Sequence, residues 1–361
     1  SPGRGGKGAL VRDISDAAKK HGIKRGIYLS PADLYQLTDN PKNPDGYYGN
    51  NSPARKSVIP TDPASLTSDP TKGRTPPNGC PTFTYELDDY NRYYLNQLYE
   101  LLTEYGPIYQ INIDGANPRP GTGQEYAYAA WYDMIRHLQP EMVITVKGPD
   151  GRWVGNEGGV GRTTEWSVIP LPESPESHDW PDRTRSDLGS RSRLTRGSYL
   201  WWYSAEVNMP ILHGWFWAPE KPCRTATELV NTYYQSVGRN GIWLLNLSPD
   251  STGLIPENQL TNLRLSTQVI NNTFARNLAA DSSVTADSSN PQNSPSLVLD
   301  DNLDTWWEAA QGQTSAEITL ELSTAVEFDV ISLREAVDHR SQRIESFDID
   351  VWDGSEWTTA D

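Results

Sequence analysis

The stretch Gly106-Pro107-Ile108-Tyr109-Gln110-Ile111-Asn112-Ile113-Asp114-Gly115 decides how this sequence folds. Upstream of it Tyr90, Tyr94, Leu98 and Leu102 recur every four residues beside Leu101 and Tyr105, which predicts a helix over about 85–105 with one apolar face. Gly106-Pro107 ends that helix. Ile108 to Asp114 then reads as a buried strand that finishes on a carboxylate. A helix, a tight stop and a strand in succession mark an α/β domain.

The same unit recurs outward in both directions. Leu10, Val11, Ile14, Ala17 and Ala18 line one helical face, Gly22 stops it, and residues 23–31 (IKRGIYLSP) follow as a strand. Downstream, Thr122-Gly-Gln-Glu125 has the capping-box pattern and predicts a helix through Leu138, stopped by Pro140. Further helices are expected over 224–237, with Leu229, Val230, Tyr233, Tyr234 and Val237 inward, and over 257–271. The strand candidates are 24–29, 108–113, 142–146, 163–168, 211–217 and 242–247. A (β/α)8 barrel needs eight parallel strands, and the sequence offers five or six. The doubly wound sheet is the rival, but no GxGxxG follows a strand. Residues 35–84, rich in Pro, Asn, Gly and Ser, read as one long loop, a length that points to function.

From about residue 277 the helical period vanishes. EITLEL (317–322), FDVISLRE (328–335) and SFDIDVWDG (346–354) alternate or run β-branched between turn residues. The expected architecture is therefore α/β: a partial (β/α)8 (TIM-like) barrel over 1–276, then a partial β-sandwich over 277–361 that looks cut short at Asp361.

Acidic residues outnumber basic ones 47 to 31, and a net charge of −16 argues against nucleic acid or an anionic membrane as partner. No apolar run is long enough for a membrane span. Cys80 and Cys223 are the only cysteines; their pairing is not readable, and no Cys/His spacing suggests a metal site. The sequence holds 13 Trp and 18 Tyr against 5 Phe. Such rings combine an apolar face with a polar handle, which suits either sugar recognition or a core with hydrogen-bonding needs.

Two carboxylates stand out. Asp114 ends a strand, and the C-terminal ends of parallel strands carry the active sites of such folds; the plainer reading is an Asp-Gly turn. Glu157 lies in RWVGNEGG (152–159), where glycines permit close approach to a ligand; the plainer reading is a solvated loop. Glu165, in TTEWSV, is its rival and sits in a more strand-like, structural setting. Two carboxylates on different loops suit glycoside hydrolysis, one attacking and one acting as acid and then base. A P-loop and a GxSxG are absent, which removes phosphoryl transfer and the usual serine hydrolase.

GIYLSPAD, YNRYYLNQLYELLTEYGPI with its strand ending Asp-Gly-Ala, RWVGNEGG with TEWSV, HGWFW, and YYQSVGRNGIWLLNLSPDSTGLIP occur in this order. Together they resemble glycoside hydrolase family 29, the α-L-fucosidases, over about residues 5–275. RWVGNEGG and TEWSV look more like the subgroup acting on α-1,3/1,4-linked fucose. The resemblance implies a retaining hydrolase of terminal L-fucose on oligosaccharides or glycoproteins, needing no cofactor or metal. It places Asp114 at the nucleophile and Glu157 at the acid/base position. Candidate fucose contacts are Arg152, whose plainer reading is a surface arginine, Trp215, whose plainer reading is a core aromatic in a barrel strand, and Tyr28 at the mouth of its strand. Two rivals stay open: a carbohydrate-binding protein without catalysis, and a retaining glycosidase for another sugar. The family's His-Trp-Gly and His-His-Asp-Gly strands do not occur here, so the first strands of the barrel are expected to be missing. Where the family often has Arg-Pro-Gly-Trp-Phe, this chain has Leu212-His213-Gly214-Trp215-Phe216. The tail, with VLDDNLDTWWEA (298–309), resembles a discoidin or galactose-binding-like module, in which Trp306 and Trp307 are core or platform. Substrates of this kind imply an extracellular or periplasmic location.

Overall fold

The computed structural model describes residues 10–61, 75–115, 121, 123–163, 165–171 and 199–360. The Gly-rich opening, Thr122 of the expected capping box and most of the stretch before Tyr199 lie outside them. The chain divides into two compact units, Ser1–Met209 with Arg239–Leu244, and Pro210–Gly238 with Leu245–Asp361. Among the described residues no helix is long and apolar enough to cross a membrane.

The first unit contains, in chain order, α1 (Leu10–Lys20), β1 (Gly26–Tyr28), β2 (Arg55–Ile59), β3 (Phe83–Leu87), α2 (Asp89–Glu104), β4 (Gln110–Ile113), α3 (Tyr128–Leu138), β5 (Val143–Val146), β6 (Gly151–Trp153), β7 (Val168–Leu171), β8 (Tyr199–Trp202) and β9 (Ser204–Pro210). With β10 (Ile242–Asn246) they build a six-stranded sheet in the order β1-β4-β5-β6-β9-β10. The pairs β1–β4, β4–β5, β5–β6 and β6–β9 are parallel. Helix α2 starts because the Asp88 side chain accepts from the Asn91 amide, and it buries Tyr90, Tyr94, Leu95, Leu98, Tyr99 and Leu102. All of these but Tyr90 meet Trp131, Met134 and Ile135 of α3 and Ile111, Ile113 and Ile144 of the sheet in one core, while Tyr90 packs with Leu37, Tyr47 and Tyr48 in a second cluster.

The two faces of the sheet differ. Side chains alternate along a strand, so Ile111 and Ile113 enter the core while Gln110 and Asn112 face the other way. On that second face Gln110 Nε2 donates to Glu206 Oε2 at 2.5 Å. Strands β4 and β9 are three spacings apart, roughly 14 Å on a flat sheet. A direct bond between their side chains requires the sheet to curl, as the wall of a barrel does. The expected α/β fold with part of a TIM-like barrel is therefore present as a curled six-stranded parallel sheet with its helices.

Several expected boundaries need correction. Among the described residues of 163–168 only Val168 is in a strand, the start of β7, which pairs antiparallel with β8 in a separate hairpin. Residues 211–217 form no strand, because the strand lies earlier, at β9. Residues 151–153 are strand β6 rather than loop, and the expected loop 35–84 contains β2 and β3, paired antiparallel. The third helix begins at Tyr128, with Ala127 at its N-cap and no side-chain cap. Helix α1 forms as expected, ended by Gly22 at φ 67°, yet none of its residues is buried.

In the second unit α4 (Ala226–Ser236) packs on α5 (Glu257–Thr273). Thr225 and Glu228 form a reciprocal capping box at the start of α4. Of the residues expected to point inward only Leu229 is fully buried; Thr232 and Ser236 join it, their hydroxyls donating to backbone carbonyls one turn back. In the tail, β11 (Ser283–Ala286) pairs antiparallel with β12 (Ile318–Glu321), and β13 (Asp350–Trp352) with β14 (Trp357–Thr359). A short helix α6 (Val337–Arg340) lies between β12 and β13. Residues 328–335 form no strand, since a strand needs a partner to satisfy its backbone and none of the described segments pairs with them. The turn at Asp300–Trp307 is built: Asp300 accepts from the Asn302 amide at 3.0 Å and from Thr305 Oγ1 at 2.6 Å. Trp307 Nε1 donates to Ser289 Oγ at 2.9 Å, and Trp306 stacks on His339 with centroids 4.9 Å apart, so both rings support the module.

Two stability measurements check this packing. Leu98 is fully buried between α2 and the sheet, and Leu98→Ala should lower the urea-unfolding free energy by about 2–5 kcal/mol. Thr225→Ala removes half of the capping box and should cost about 1 kcal/mol in the same assay.

Candidate active site

Asp114 follows β4 directly and leaves the sheet at the C-terminal end of its parallel strands. Its Oδ2 accepts from the Tyr28 hydroxyl at 2.9 Å, and its Oδ1 from the Gly115 amide at 2.7 Å. Gly115 is required by crowding as well as by its φ of 129°: a Cβ there would lie 2.5 Å from Ser30 Oγ and 2.9 Å from Ala32 Cβ. The crowding segment is held from behind by α2. Tyr94 donates to Leu29 O at 3.0 Å, and Tyr90 to Pro31 O. The tyrosine excess noted in the composition is thus in good part structural, each ring filling the core while its hydroxyl fixes a loop. Beside Asp114, Val146 closes β5 at φ 69°, a left-handed conformation in which a β-branched residue is strained. Such strain is held where surrounding structure over-determines it, as at functional sites.

Glu157 sits at the exposed tip of the loop after β6. The loop is stitched locally: Gly158 N donates to Asn156 Oδ1 at 3.0 Å, and Asn156 Nδ2 to Val160 O at 2.8 Å. Gly159 N donates to Asn208 O at 3.1 Å, which ties it to β9. Tyr28 feels both carboxylates. Its phenol is pushed up to about 12 by burial first, then by the hydrogen bond and charge of Asp114, and also by the charge of Glu157. Tyr28 therefore stays a donor throughout the physiological range, with both carboxylates acting on one hydroxyl.

Arg152 and Glu165 belong to a different place. Arg152 pairs in register with Ala205, while its neighbours Gly151 and Trp153 pair with Ser204 and Glu206. By alternation its side chain lies on the face opposite Glu206. Arg152 is fully buried and donates to Glu165, to Trp166 O at 2.8 Å and to Tyr203 O. Glu165, also buried, accepts in addition from the Arg162 backbone at 2.9 Å and from its guanidinium at 3.1 Å. Both oxygens of Glu165 are thus engaged by arginines, and both terminal nitrogens of Arg152 are engaged in this cluster.

Sequence reasoning passed over the inward layer below Asp114. Glu206 is buried and receives Gln110 Nε2 and, at 3.3 Å, Asn112 Nδ2. Gln110 Nε2 also reaches Asn112 Oδ1 at 2.8 Å and Thr145 Oγ1 at 3.1 Å, and Thr145 Oγ1 donates to Asn112 Oδ1. A signal was present: Ser204, Glu206 and Asn208 alternate with Ala205, Val207 and Met209. Trp215 lies in the second unit, half-buried, its carbonyl accepting from Asn246 Nδ2 at 2.9 Å and Ser248 Oγ at 2.8 Å. Cys80 and Cys223 are free thiols.

The sequence profile of the alpha-L-fucosidase family matches residues 3–271. Alpha-L-fucosidase 1 of Arabidopsis thaliana is 32% identical over 358 residues, covering 96% of this chain and 59% of the plant protein. This chain thus spans less than two thirds of that relative's length. The structure of a glycoside hydrolase family 29 fucosidase of Ruminococcus gnavus in complex with fucose matches with a TM-score of 0.74 at 25% identity, over 98% of this chain and 67% of that one. A family 29 member from an unknown rumen bacterium is 30% identical with a TM-score of 0.54, over 78% of this chain and 44% of that one. With a profile match over most of its length, on the curled parallel sheet and strand-end carboxylate just described, the chain belongs to the α-L-fucosidase family.

Proposed function

We propose that this protein hydrolyses terminal α-L-fucose on oligosaccharides or glycoconjugates, with retention of configuration and a preference for α-1,3/1,4 linkages. The observation that carries this reading is Asp114 at the C-terminal end of a parallel sheet, held by the Tyr28 hydroxyl, whose phenol also feels the charge of Glu157, in a chain of this family. Asp114 attacks the anomeric carbon while Glu157 protonates the departing oxygen, which gives a β-fucosyl ester on Asp114. Glu157 then takes a proton from water, whose oxygen displaces Asp114 and restores the α configuration. Tyr28 holds the attacking carboxylate in line.

Glu157 rather than Glu165 is assigned the proton because Glu165 is buried with both oxygens engaged by Arg152 and Arg162, whereas Glu157 stands at an exposed loop tip. Arg152 then serves to hold the segment around Glu165 and Trp166. Residues 1–276 are read as the catalytic domain and 277–361 as a galactose-binding-like module, supported by its two antiparallel pairs and the Asp300–Trp307 turn. The exposed apolar face of α1, with Leu10 60% and Ile14 54% accessible, supports further barrel elements packing there in the whole protein. Its place of action is outside the cytoplasm, in the extracellular space or periplasm.

The test uses the full-length protein that contains this chain. Wild type should release an aryl α-L-fucoside with the sugar first appearing as the α anomer, and Asp114→Asn should abolish turnover. Glu157→Gln should slow substrates with poor leaving groups by about 100- to 10,000-fold, spare activated aryl fucosides much more, and recover with azide as an α-fucosyl azide. A first product of inverted configuration removes the retaining reading, and binding of fucosides without turnover favours a carbohydrate-binding protein. Glu165→Gln should instead unfold the protein more easily, by about 3–5 kcal/mol, because it strips a buried arginine of its partner. Azide rescue of Glu165→Gln in place of Glu157→Gln would reverse the assignment.

A further inference from the structure

Glu206 is a buried carboxyl that the mechanism above does not use. It lies on β9, on the same face of the sheet as Gln110 and Asn112, and Asp114 is the next residue of that face along the chain of β4. Its two oxygens take different amides of one strand, Oε2 from Gln110 at 2.5 Å and Oε1 from Asn112 at 3.3 Å. Those amides are cross-linked to each other and to Thr145 of β5. The backbone on either side is tied as well: Glu206 O accepts from Val154 N at 3.0 Å and Asn208 O from Gly159 N at 3.1 Å, both on the segment that carries Glu157. Glu206 thus bridges the strand that ends in one candidate carboxylate and the loop that bears the other.

We propose that Glu206 is a positioning residue for the reaction, clamping β4 through Gln110 and Asn112 so that Asp114 keeps its line of attack. This rests on the reading of Asp114 as the nucleophile. The clamp works as a neutral acid. Asn208 donates to the Glu206 carboxyl, yet Asn208 Oδ1 is buried without a partner. Half a turn of that amide presents Oδ1 to Glu206, where it accepts the acid's proton and gains the partner it lacks. The electrostatics run the same way. Burial pushes the Glu206 carboxyl above the usual glutamate range and the Asp114 charge adds to the rise, while the amides of Gln110, Asn208 and Asn112 pull part of it back. Asp114 is the ionisable group that acts on it; Gln110, Asn112, Asn208 and Thr145 are neutral. A neutral Glu206 spares the site a second negative charge beneath the nucleophile.

The neutral-acid form makes a specific demand on substitutions, because glutamine reproduces the shape and both bonding capacities of a protonated glutamate. In the full-length protein with an aryl α-L-fucoside, Glu206→Gln should keep kcat within about threefold of wild type. Glu206→Ala should lower kcat about 100-fold with little change in KM, the signature of a displaced reacting group. The infrared difference between wild type and Glu206→Gln at neutral pH should show a protonated-carboxyl band that the variant lacks. A crystal structure of Glu206→Ala should show the Asp114 carboxylate moved by about 1 Å. A Gln variant as impaired as Ala, loss of an ionised-carboxylate band instead, or an unmoved Asp114 would each overturn the proposal. The infrared and crystallographic results do not depend on turnover, so they decide it even if Asp114→Asn stays active and the nucleophile assignment fails. If the alanine variant does not fold, the glutamine variant's kcat and the infrared band decide the outcome.

Discussion

Gln110, Asn112, Thr145 and Glu206 are polar groups enclosed on the inner face of a curled sheet, and each has to find its hydrogen bonds on another strand. That constraint sets more of the architecture than the apolar core does. An apolar core tolerates exchange of one hydrophobe for another of similar volume. A buried amide that misses its partner costs about 1–3 kcal/mol. Slipping β4 by a single residue would turn Gln110 and Asn112 into the isoleucine core and Ile111 and Ile113 into the polar layer. The register that carries Asp114 to the strand end is therefore fixed twice, once by the isoleucines and once by the amides.

The rim above this layer is rigid for a separate reason. Tyrosines of α2 reach through the core to the carbonyls of Leu29 and Pro31, so the loop after β1 is held from inside. That loop presses on Gly115, and a side chain of any size at 115 would displace Ser30 and Ala32. Tyr28, immediately before the loop, then meets Asp114 from a strand already in register with β4. Core packing, loop position and carboxylate orientation are thus one mechanical chain, running from Tyr90 and Tyr94 to Asp114.

How far the sequence disclosed this follows from where its patterns were strong. Helix α2 was legible because Tyr90, Tyr94, Leu98 and Leu102 all bury on one face, and β4 and β5 because one of their faces is isoleucine and valine. Strand β9 was not, since a buried parallel strand is expected to be an apolar run. Here Ser204, Glu206 and Asn208 interrupt it with the inward polar layer. Strand β6 escaped because Gly151–Trp153 is too short to show a period. Asp114 was legible from its place at a strand end. The surroundings of Arg152 were not legible, because three residues cannot reveal which side of the sheet a guanidinium takes, and it takes the side of Glu165. The hairpin β2–β3 was hidden by a loop-like composition between its strands, although Arg55–Ile59 and Phe83–Leu87 pair over their full lengths.

The two carboxylates assigned to the chemistry stand on supports of different stiffness, and the difference matches what each has to do. A nucleophile attacks one carbon along one line, and displacement by about 1 Å costs orders of magnitude in rate. Asp114 stands on a strand end fixed by register, by the Gly115 amide and by Tyr28. An acid that becomes a base serves two oxygens in turn, that of the leaving group and that of water, and has to accept both. Glu157 stands on an exposed glycine-rich loop, stitched by Asn156 within itself and tied to β9 through Gly159. A strand end and a short tethered loop are the supports that an attack in line and a proton shuttle respectively require.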